Sequence, residues 1–504
     1  MVVVVAAVAR SFRSRRRLFR ALGWLSLAAV APGLVACNAR TLEPPTVVPE
    51  PSNRGSIVIS ANRNVDLLFL IDDSLSMANS QNNLRRNFPA FMAALKALPG
   101  GLPNVHIAVV SSDMGAGDGS VGGCNATGGK NGVFQYNPPV APVGQQPCAT
   151  NLDAGATYIS DIGGVRNYTG NLEDTFSCIA ALGEMGCGFE HQFAAILRAL
   201  GADGAPPPAE NQGFLRPDAY LAIVMITNED DCSAPRGSQL FDTSANRTLA
   251  DQLGPERNFR CNEFGHICDG ARPSRLAPNG TVDDTRSYTS CVSAEDGILL
   301  PVADTAARLK ALKPDPQNQI MVAAITGPTA PYTVTWTPAK TADSGPWPVI
   351  SHSCTAADGS YADPSIRTSQ LVDAFGANGL QLSICADEFA PALQRIAEQI
   401  GQRVAKPCIS GQIAKKPGTA SDDCTVISSS PDGLGQIIAR PIPGCADTGG
   451  AGPCWRLAPG EGACTAQTID VVPDPTAPAP VWETAAVECS LCAPGVADPA
   501  RGCP

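Results

Sequence analysis

Val65-Asp66-Leu67-Leu68-Phe69-Leu70-Ile71 is a nearly unbroken apolar run that passes directly into Asp72-Asp73-Ser74-Leu75-Ser76. A strand with one wet face would alternate polar and apolar residues. This one does not, so it reads as a parallel strand buried on both faces beneath helices. Ligand sites in such sheets collect where the strands end, and what stands there is a D-x-S-x-S pattern. Asp72, Ser74 and Ser76 put one carboxylate and two hydroxyls on a single turn, a set of hard oxygens suited to a divalent cation. The competing reading is a polar turn that caps the following helix, a position that also favours Ser and Asp.

The rest of the chain alternates strands with helices. After the first strand, Leu84, Phe88, Phe91 and Leu95 recur at helical spacing, with Pro89 expected to kink that helix. Further buried strands are expected at Val105–Val110, Tyr220–Ile226, Ile320–Ile325 and Leu380–Ile384, with a short antiparallel edge strand at Val133–Gln135. Helices are expected near 172–182, 190–200 and 303–312, and through Phe389, Leu393, Ile396 and Ile400. Strands alternating with helices predict an α/β fold, a doubly wound, mostly parallel sheet flanked by helices.

The N-terminal residues read as an export signal, with arginines from Arg10 to Arg20 ahead of an apolar segment that ends in Leu34-Val35-Ala36-Cys37. That tetrad resembles a bacterial lipobox, which makes Cys37 the lipidation site and the membrane a partner through a lipid anchor. Ser14 to Phe19 also resembles a twin-Arg signal, so the export route stays open between the two systems. The expected address is the bacterial cell envelope, on the periplasmic or the surface-exposed face. Of 19 Cys, lipidation of Cys37 leaves 19 − 1 = 18, an even number suited to complete pairing in an oxidising compartment. Cys178 and Cys187 are close enough in sequence to clip a short loop. The expected organisation is a signal peptide with lipobox at 1–37, a Pro-rich tether at 38–57, the α/β domain with Cys-rich insertions at 58–405, and a disulfide-rich C-terminal module of strands and loops at 406–504. A net charge of −11 with no basic stripe argues against nucleic acid as a partner.

The stretch from Asn64 to Val404 resembles a von Willebrand factor type A domain. In that family the D-x-S-x-S turn forms a metal-ion-dependent adhesion site, completed by a Thr from a second loop and an Asp from a third. The resemblance implies that Asp72, Ser74 and Ser76 are ligands. At the Thr position the nearest oxygen donor here is Glu190, and at the third-loop Asp position stands Asn228, with Asp230 a substitute if its loop turns inward. The implied cofactor is a divalent cation, Mg²⁺ ahead of Ca²⁺ or Mn²⁺. The implied partner is a protein or surface ligand that offers an acidic residue to an open position on the ion. The alternative is an envelope scaffold whose metal site has degenerated. Catalysis is not expected: the chain has four His and no nucleophile elbow, phosphate loop or zinc-type Cys spacing.

Overall fold

The computed structural model describes residues 54–504 apart from 61–62, 118–120, 122, 125–126, 137–150, 242–247, 256–257, 339–344, 405–408, 410, 432–435, 461–466, 473, 475, 477–483 and 494. The export signal, Cys37 and tether residues 38–53 lie outside the described residues. In chain order the first elements are β1 (Arg54–Ser60), β2 (Asn64–Ile71), α1 (Ala78–Ala97), β3 (Asn104–Ser111), β4 (Ile159–Ile162), β5 (Val165–Arg166), α2 (Leu172–Ile179), α3 (Gln192–Ala199) and β6 (Tyr220–Ile226). An insertion follows with α4 (Phe259–Gly265), β7 (His266–Cys268), β8 (Thr285–Tyr288) and β9 (Cys291–Ser293). Then come α5 (Val302–Lys310), α6 (Pro316–Gln319), β10 (Ile320–Thr326), β11 (Tyr332–Thr337), β12 (Trp347–Ile350), β13 (Cys354–Thr355), β14 (Tyr361–Ala362), α7 (Ile366–Asp373), β15 (Gly379–Ser383) and α8 (Ala390–Val404). The C-terminal strands are β16 (Cys424–Pro431), β17 (Ile437–Ile442), β18 (Cys454–Pro459), β19 (Gln467–Val472) and β20 (Thr484–Ser490).

The main sheet has seven strands in the order β15-β10-β6-β2-β3-β4-β5. The five from β15 to β3 are parallel, and β4 and β5 close one edge antiparallel. β2 lies at the centre, and from Val65 to Ile71 it is buried on both faces. On one face Val65, Leu67, Phe69 and Ile71 meet α1, α2 and α8; on the other Leu68 and Leu70 meet the layer of α3, α5 and α7. The predicted face of α1 carries the first of these contacts. Phe88 stacks on Phe176 with ring centroids 3.6 Å apart, and both pack against Phe69. The helix runs unbroken across Pro89.

The termini of this domain do not divide as the sequence suggested. β1 pairs antiparallel with β20 from Arg54↔Ser490 to Ser60↔Thr484, in a separate sheet of order β1-β20-β16-β17. Residues 54–57 are therefore strand rather than tether, and 58–60 belong with the C-terminal strands rather than with the α/β domain. The prolines at 44–51 had set the expected boundary, whereas Ile57-Val58-Ile59, a β-branched run, sets the observed one. The expected edge strand at Val133–Gln135 is reduced to one bridge, Val110↔Phe134, and β4 takes the place beside β3 instead, with β5 at the edge.

Seven disulfides join described cysteines: Cys124–Cys187, Cys232–Cys261, Cys268–Cys291, Cys354–Cys385, Cys424–Cys489, Cys445–Cys454 and Cys492–Cys503. The clip between Cys178 and Cys187 does not form, because Cys187 reaches back across 63 residues to Cys124. Two bridges organise the insertion, as its length required, and three brace the C-terminal module. Pairing on this scale belongs to an oxidising compartment. Among the described residues no helix is long and apolar enough to cross a membrane.

The end of the sheet away from the D-x-S-x-S turn holds a buried charge knot. Asp66 accepts from the Arg216 amide at 2.7 Å and its guanidinium at 2.8 Å, with Lys313 Nζ 3.9 Å away. His106 Nδ1 donates to the Phe214 carbonyl at 2.9 Å and lies 3.7 Å from Asp66. Burial, helped by the Arg216 charge, lowers His106 from 6.5 to about 4. Burial also raises Asp66 from 3.8 to about 6 against the pull of Arg216 and Lys313. Between about 6.5 and 4 the unfolded chain therefore holds the histidine proton and the folded chain does not, so this contribution to stability is lost as pH falls through that window. Asp66 has the opposite sign: the folded chain holds its proton from about 6 downward, and acidification favours the fold. His106→Gln keeps a donor for Phe214 and removes only the first effect. Relative to the native chain the variant is expected to gain on the order of 2 kcal/mol between about pH 7 and about pH 4.5, read from urea unfolding midpoints. Parallel pH profiles for the two proteins would remove His106 as the titrating group.

Candidate metal centre

Register brings the site together. Ile71 of β2 pairs with Ser111 of β3 and with Ile226 of β6, so the next residues on each strand, Asp72, Ser112 and Thr227, emerge side by side at the carboxyl edge of the sheet. The Asp72 amide donates to the Ile226 carbonyl at 2.9 Å, which fixes the start of the turn. Asp72 Oδ1 accepts from the Ser74 amide at 2.8 Å, and Oδ2 accepts from Thr227 Oγ1 at 2.9 Å. Asp73 turns the other way as a brace: it accepts from Ser111 Oγ at 2.6 Å and pairs with Lys130. Its carbonyl accepts from the Gly186 amide at 2.8 Å. A Cβ at Gly186 would collide with the Asp73 carboxylate, so only glycine lets the second loop come this close.

The D-x-S-x-S turn does not cap the helix behind it. No side chain caps α1; the turn is linked to the helix by a backbone bond from the Met77 amide to the Ser74 carbonyl and by Gln81 Nε2, which donates to the Asp72 carbonyl at 3.0 Å. Ser74 Oγ is buried and makes no well-formed hydrogen bond, though it stands close enough to Asp72 to favour its charge. Ser76 Oγ meets the Asn228 amide group at 3.0–3.2 Å. Asn228 is held in place at its own backbone, where its carbonyl accepts from the Asp363 amide at 2.8 Å.

Glu190 arrives on the loop between α2 and α3. Its carbonyl accepts from the Cys232 amide at 2.7 Å, and the next amide, of His191, donates to the Ser112 carbonyl at 3.0 Å. Its carboxyl is buried, and Oε1 has no partner. Burial, then the charges of Glu229 and Asp72, push its pKa well above the ordinary range. Glu229 is pushed to about 8 by burial and by Asp363 and Asp72, and burial with the Asp73 charge takes Asp72 to about 6. Asp363 is also raised by burial, although His352 at 2.7 Å opposes this. Among the described residues no Lys or Arg forms an ion pair with Asp72, Glu190 or Glu229, while Asp73, Asp231 and Asp363 each have a basic partner. Carboxylates gathered out of water without a counter-charge are unfavourable unless protons or a cation join them.

Asp230 is not part of this group. Its loop does turn inward, but toward α7: Oδ2 accepts from the Ile366 and Arg367 amides at 2.7 and 2.8 Å and faces His266 Nε2 at 2.9 Å, while Oδ1 accepts from the Thr368 amide at 3.0 Å and its hydroxyl at 2.9 Å. Burial opposes its charge, but these donors outweigh it and hold its pKa below the usual value. With its lone pairs engaged in starting a helix, Asp230 leaves the candidate set. Thr227, which donates to Asp72, and Glu229, whose carboxyl feels the Asp72 charge, also belong to this edge. Both flank Asn228, so the signal was adjacent. Asp363 lies 135 residues from Asn228 and had no sequence signal. Among the described residues no three His, Cys, Asp or Glu side chains stand in position to hold an ion. The donor set that these loops carry is mixed, with carboxylates from Asp72 and Glu190, hydroxyls from Ser74 and Ser76, and the Asn228 amide. It suits a hard cation that keeps some of its water.

No protein-family model matches the chain, and no curated protein matches it. Among solved structures it is similar to the pilus adhesin RrgA of Streptococcus pneumoniae, at 9% identity over 87% of this chain and 59% of that one, with a TM-score of 0.25. It is also similar to proximal thread matrix protein 1 of the mussel byssus, at 9% identity over 69% and 48%, with a TM-score of 0.25. A third is the N-terminal three-domain portion of the type V pili tip protein Mfa5 of Porphyromonas gingivalis, at 10% identity over 88% and 66%, with a TM-score of 0.24. The chain spans about half to two thirds of these proteins. Scores at this level carry no argument about function.

Proposed function

We propose that the chain is an envelope-anchored lipoprotein whose α/β domain, of von Willebrand factor A type, holds a divalent cation and uses it to capture an acidic group on a protein or surface ligand. The observation that carries the reading is the pair of buried oxygens without a well-formed hydrogen bond, Ser74 Oγ and Glu190 Oε1, beside the uncompensated Asp72 carboxylate. Unpaired buried polar atoms cost free energy, and a cation supplies what both lack. Asp72, Ser74, Ser76, Glu190 and Asn228 would hold it. The charge that the third loop gives up at Asn228 returns at Glu190, so this is a relocated ligand set rather than a depleted one. Mg²⁺ remains the first choice for a set with two hydroxyls, and the closeness of Glu229 is the feature that would admit Ca²⁺.

The test is calorimetric titration of the chain lacking residues 1–37 with Mn²⁺ and Mg²⁺. One binding event is expected, and Asn228→Asp should tighten it about tenfold, roughly 1.4 kcal/mol. No heat from either ion, with EDTA leaving ligand capture unchanged, would instead support the scaffold with a degenerate site. The observation favouring that second reading is that the Asn228 amide is already engaged, donating to the Tyr361 carbonyl at 3.1 Å as well as meeting Ser76.

A further inference from the structure

Resting on the cation reading above, we propose that Leu75 and Met185 form an apolar rim at the cation site and select a protein segment whose carboxylate is flanked by a large apolar side chain. Met185, at 83% exposure, and Leu75, at 79%, are the two most exposed large aliphatic side chains among the described residues. Single apolar residues scattered over a surface are ordinary and need no explanation. Position sets these two apart. Leu75 lies inside the D-x-S-x-S turn, between buried Ser74 and half-buried Ser76, and Met185 lies on the loop between α2 and α3 that carries Glu190. The two stretches meet, because Gly186, next to Met185, donates its amide at 2.8 Å to the carbonyl of Asp73, two residues before Leu75.

Both stretches are also fixed at the backbone. Gln81 of α1 grips Gly183 in both directions, donating to its carbonyl at 2.8 Å and accepting from its amide at 3.1 Å, so Met185 sits between two anchored glycines. Leu75 follows Ser74, whose amide donates to Asp72 Oδ1 at 2.8 Å and whose carbonyl accepts from the Met77 amide at 3.1 Å. An apolar side chain on a backbone held this way gives up little further freedom when a partner covers it, so its burial is expressed as affinity. On the third-loop side the Tyr361 carbonyl accepts from the Asn228 amide group at 3.1 Å, and its half-buried ring stacks on exposed His352 with centroids 3.7 Å apart. The polar centre is therefore bordered by apolar or aromatic surface on the side of each of its three loops. What covers this rim follows from what it surrounds. A small acidic sugar or a free carboxylate would reach the ion and leave Leu75 and Met185 in water. A chain segment that brings an acid with a large apolar neighbour covers the ion and the rim in one docking event.

The test flows the full chain over immobilised peptides and reads binding by surface plasmon resonance, in Mn²⁺ and in EDTA. In Mn²⁺, the peptide Gly-Leu-Asp-Leu-Gly should bind about tenfold more tightly than Gly-Ser-Asp-Ser-Gly, as burial of a leucine provides. EDTA, or Asn in place of the peptide Asp, should abolish binding of both. Leu75→Ser with Met185→Ser should erase the preference, and both side chains lie on the surface, so the fold is not at risk. Calorimetric titration with Mn²⁺ separates this proposal from the one it rests on. Equal binding of the two peptides by a chain that takes up Mn²⁺ overturns the rim and leaves the cation reading standing, as does a preference that survives in the double variant. A native chain that gives no Mn²⁺ heat overturns both. A native chain that sediments as a dimer where the double variant is a monomer assigns the rim to a second copy and overturns the proposal too.

Discussion

Asp72→Asn is expected to abolish divalent-cation binding while leaving the metal-free domain at least as stable as the native one. The amide keeps the geometry of the turn: its oxygen still accepts from the Ser74 amide, as Asp72 Oδ1 does now at 2.8 Å. What disappears is a charge that burial and Asp73 already oppose, enough to raise Asp72 from 3.8 to about 6. Removing it also relieves Glu190 and Glu229, for both of which Asp72 is among the charges pushing them upward. A shift of two pH units corresponds to on the order of 3 kcal/mol, so a gain of about 1 kcal/mol in metal-free stability near neutral pH is a conservative expectation. Native protein in millimolar Mg²⁺ should recover that difference and more, since a ligand that binds only the folded state stabilises it by mass action. The variant should not respond to Mg²⁺. Urea unfolding with Mg²⁺ and with EDTA measures both halves. A variant that loses several kcal/mol in EDTA would make Asp72 a structural anchor of the turn and not a ligand held at a cost to stability.

That expectation could be framed from the sequence only in part. The run from Val65 to Ile71 carries its two-sided burial in its composition, and Tyr220–Ile226 is the same in prediction and structure. Buried strands and amphipathic helices are local properties, so they were legible. Pairings across long separations were not. The partner of β1 is 424 residues away at Ser60↔Thr484 and 430 away at Ile57↔Val487, and no periodicity announces it. Cys187 chose Cys124 over the nearer Cys178 because the second loop is drawn down onto Asp73 through Gly186, a contact that depends on the folded sheet edge. At the site, strand register brings Asp72 beside Thr227, and the next residue, Asn228, meets Ser76, whereas Glu190 comes in separately on the loop between α2 and α3. Asp230 failed as a candidate for a reason that composition does not show. Two neighbouring acids, Asp230 and Asp231, are drawn in opposite senses from Glu229, toward α7 and its arginine, while Glu229 alone stays with Asp72.

The largest loss of stability is expected from Asp231→Ala, about 3–5 kcal/mol, because it leaves Arg367 charged and unpaired in the core. Arg367 is fully buried, and its guanidinium donates to Asp231 Oδ2 at 3.0 and 3.3 Å, to Ser293 Oγ at 3.0 Å and to the Leu300 carbonyl at 2.6 Å. Burial pushes the Asp231 carboxyl up even with Arg367 beside it, so the pair is a costly arrangement whose two halves depend on each other. Asp231 does more than balance charge. It accepts from the Phe193 amide at 2.9 Å at the start of α3 and from Ser233 Oγ at 2.6 Å, so one side chain ties the third loop to α3, to the insertion and to α7. A domain of ordinary stability, about 5–15 kcal/mol, would lose a large fraction of it. Replacing both partners, Asp231→Ala with Arg367→Met, removes the stranded charge together with its partner and should recover at least half of the loss. Guanidinium unfolding of the single and double variants gives the coupling directly. Since the same loop presents Asn228 and Glu229, the single variant should also weaken cation binding, whereas the double variant should restore part of it. A single variant that loses less than about 1 kcal/mol would mean that Ser293 and the Leu300 carbonyl, with water, can hold Arg367 without its acid.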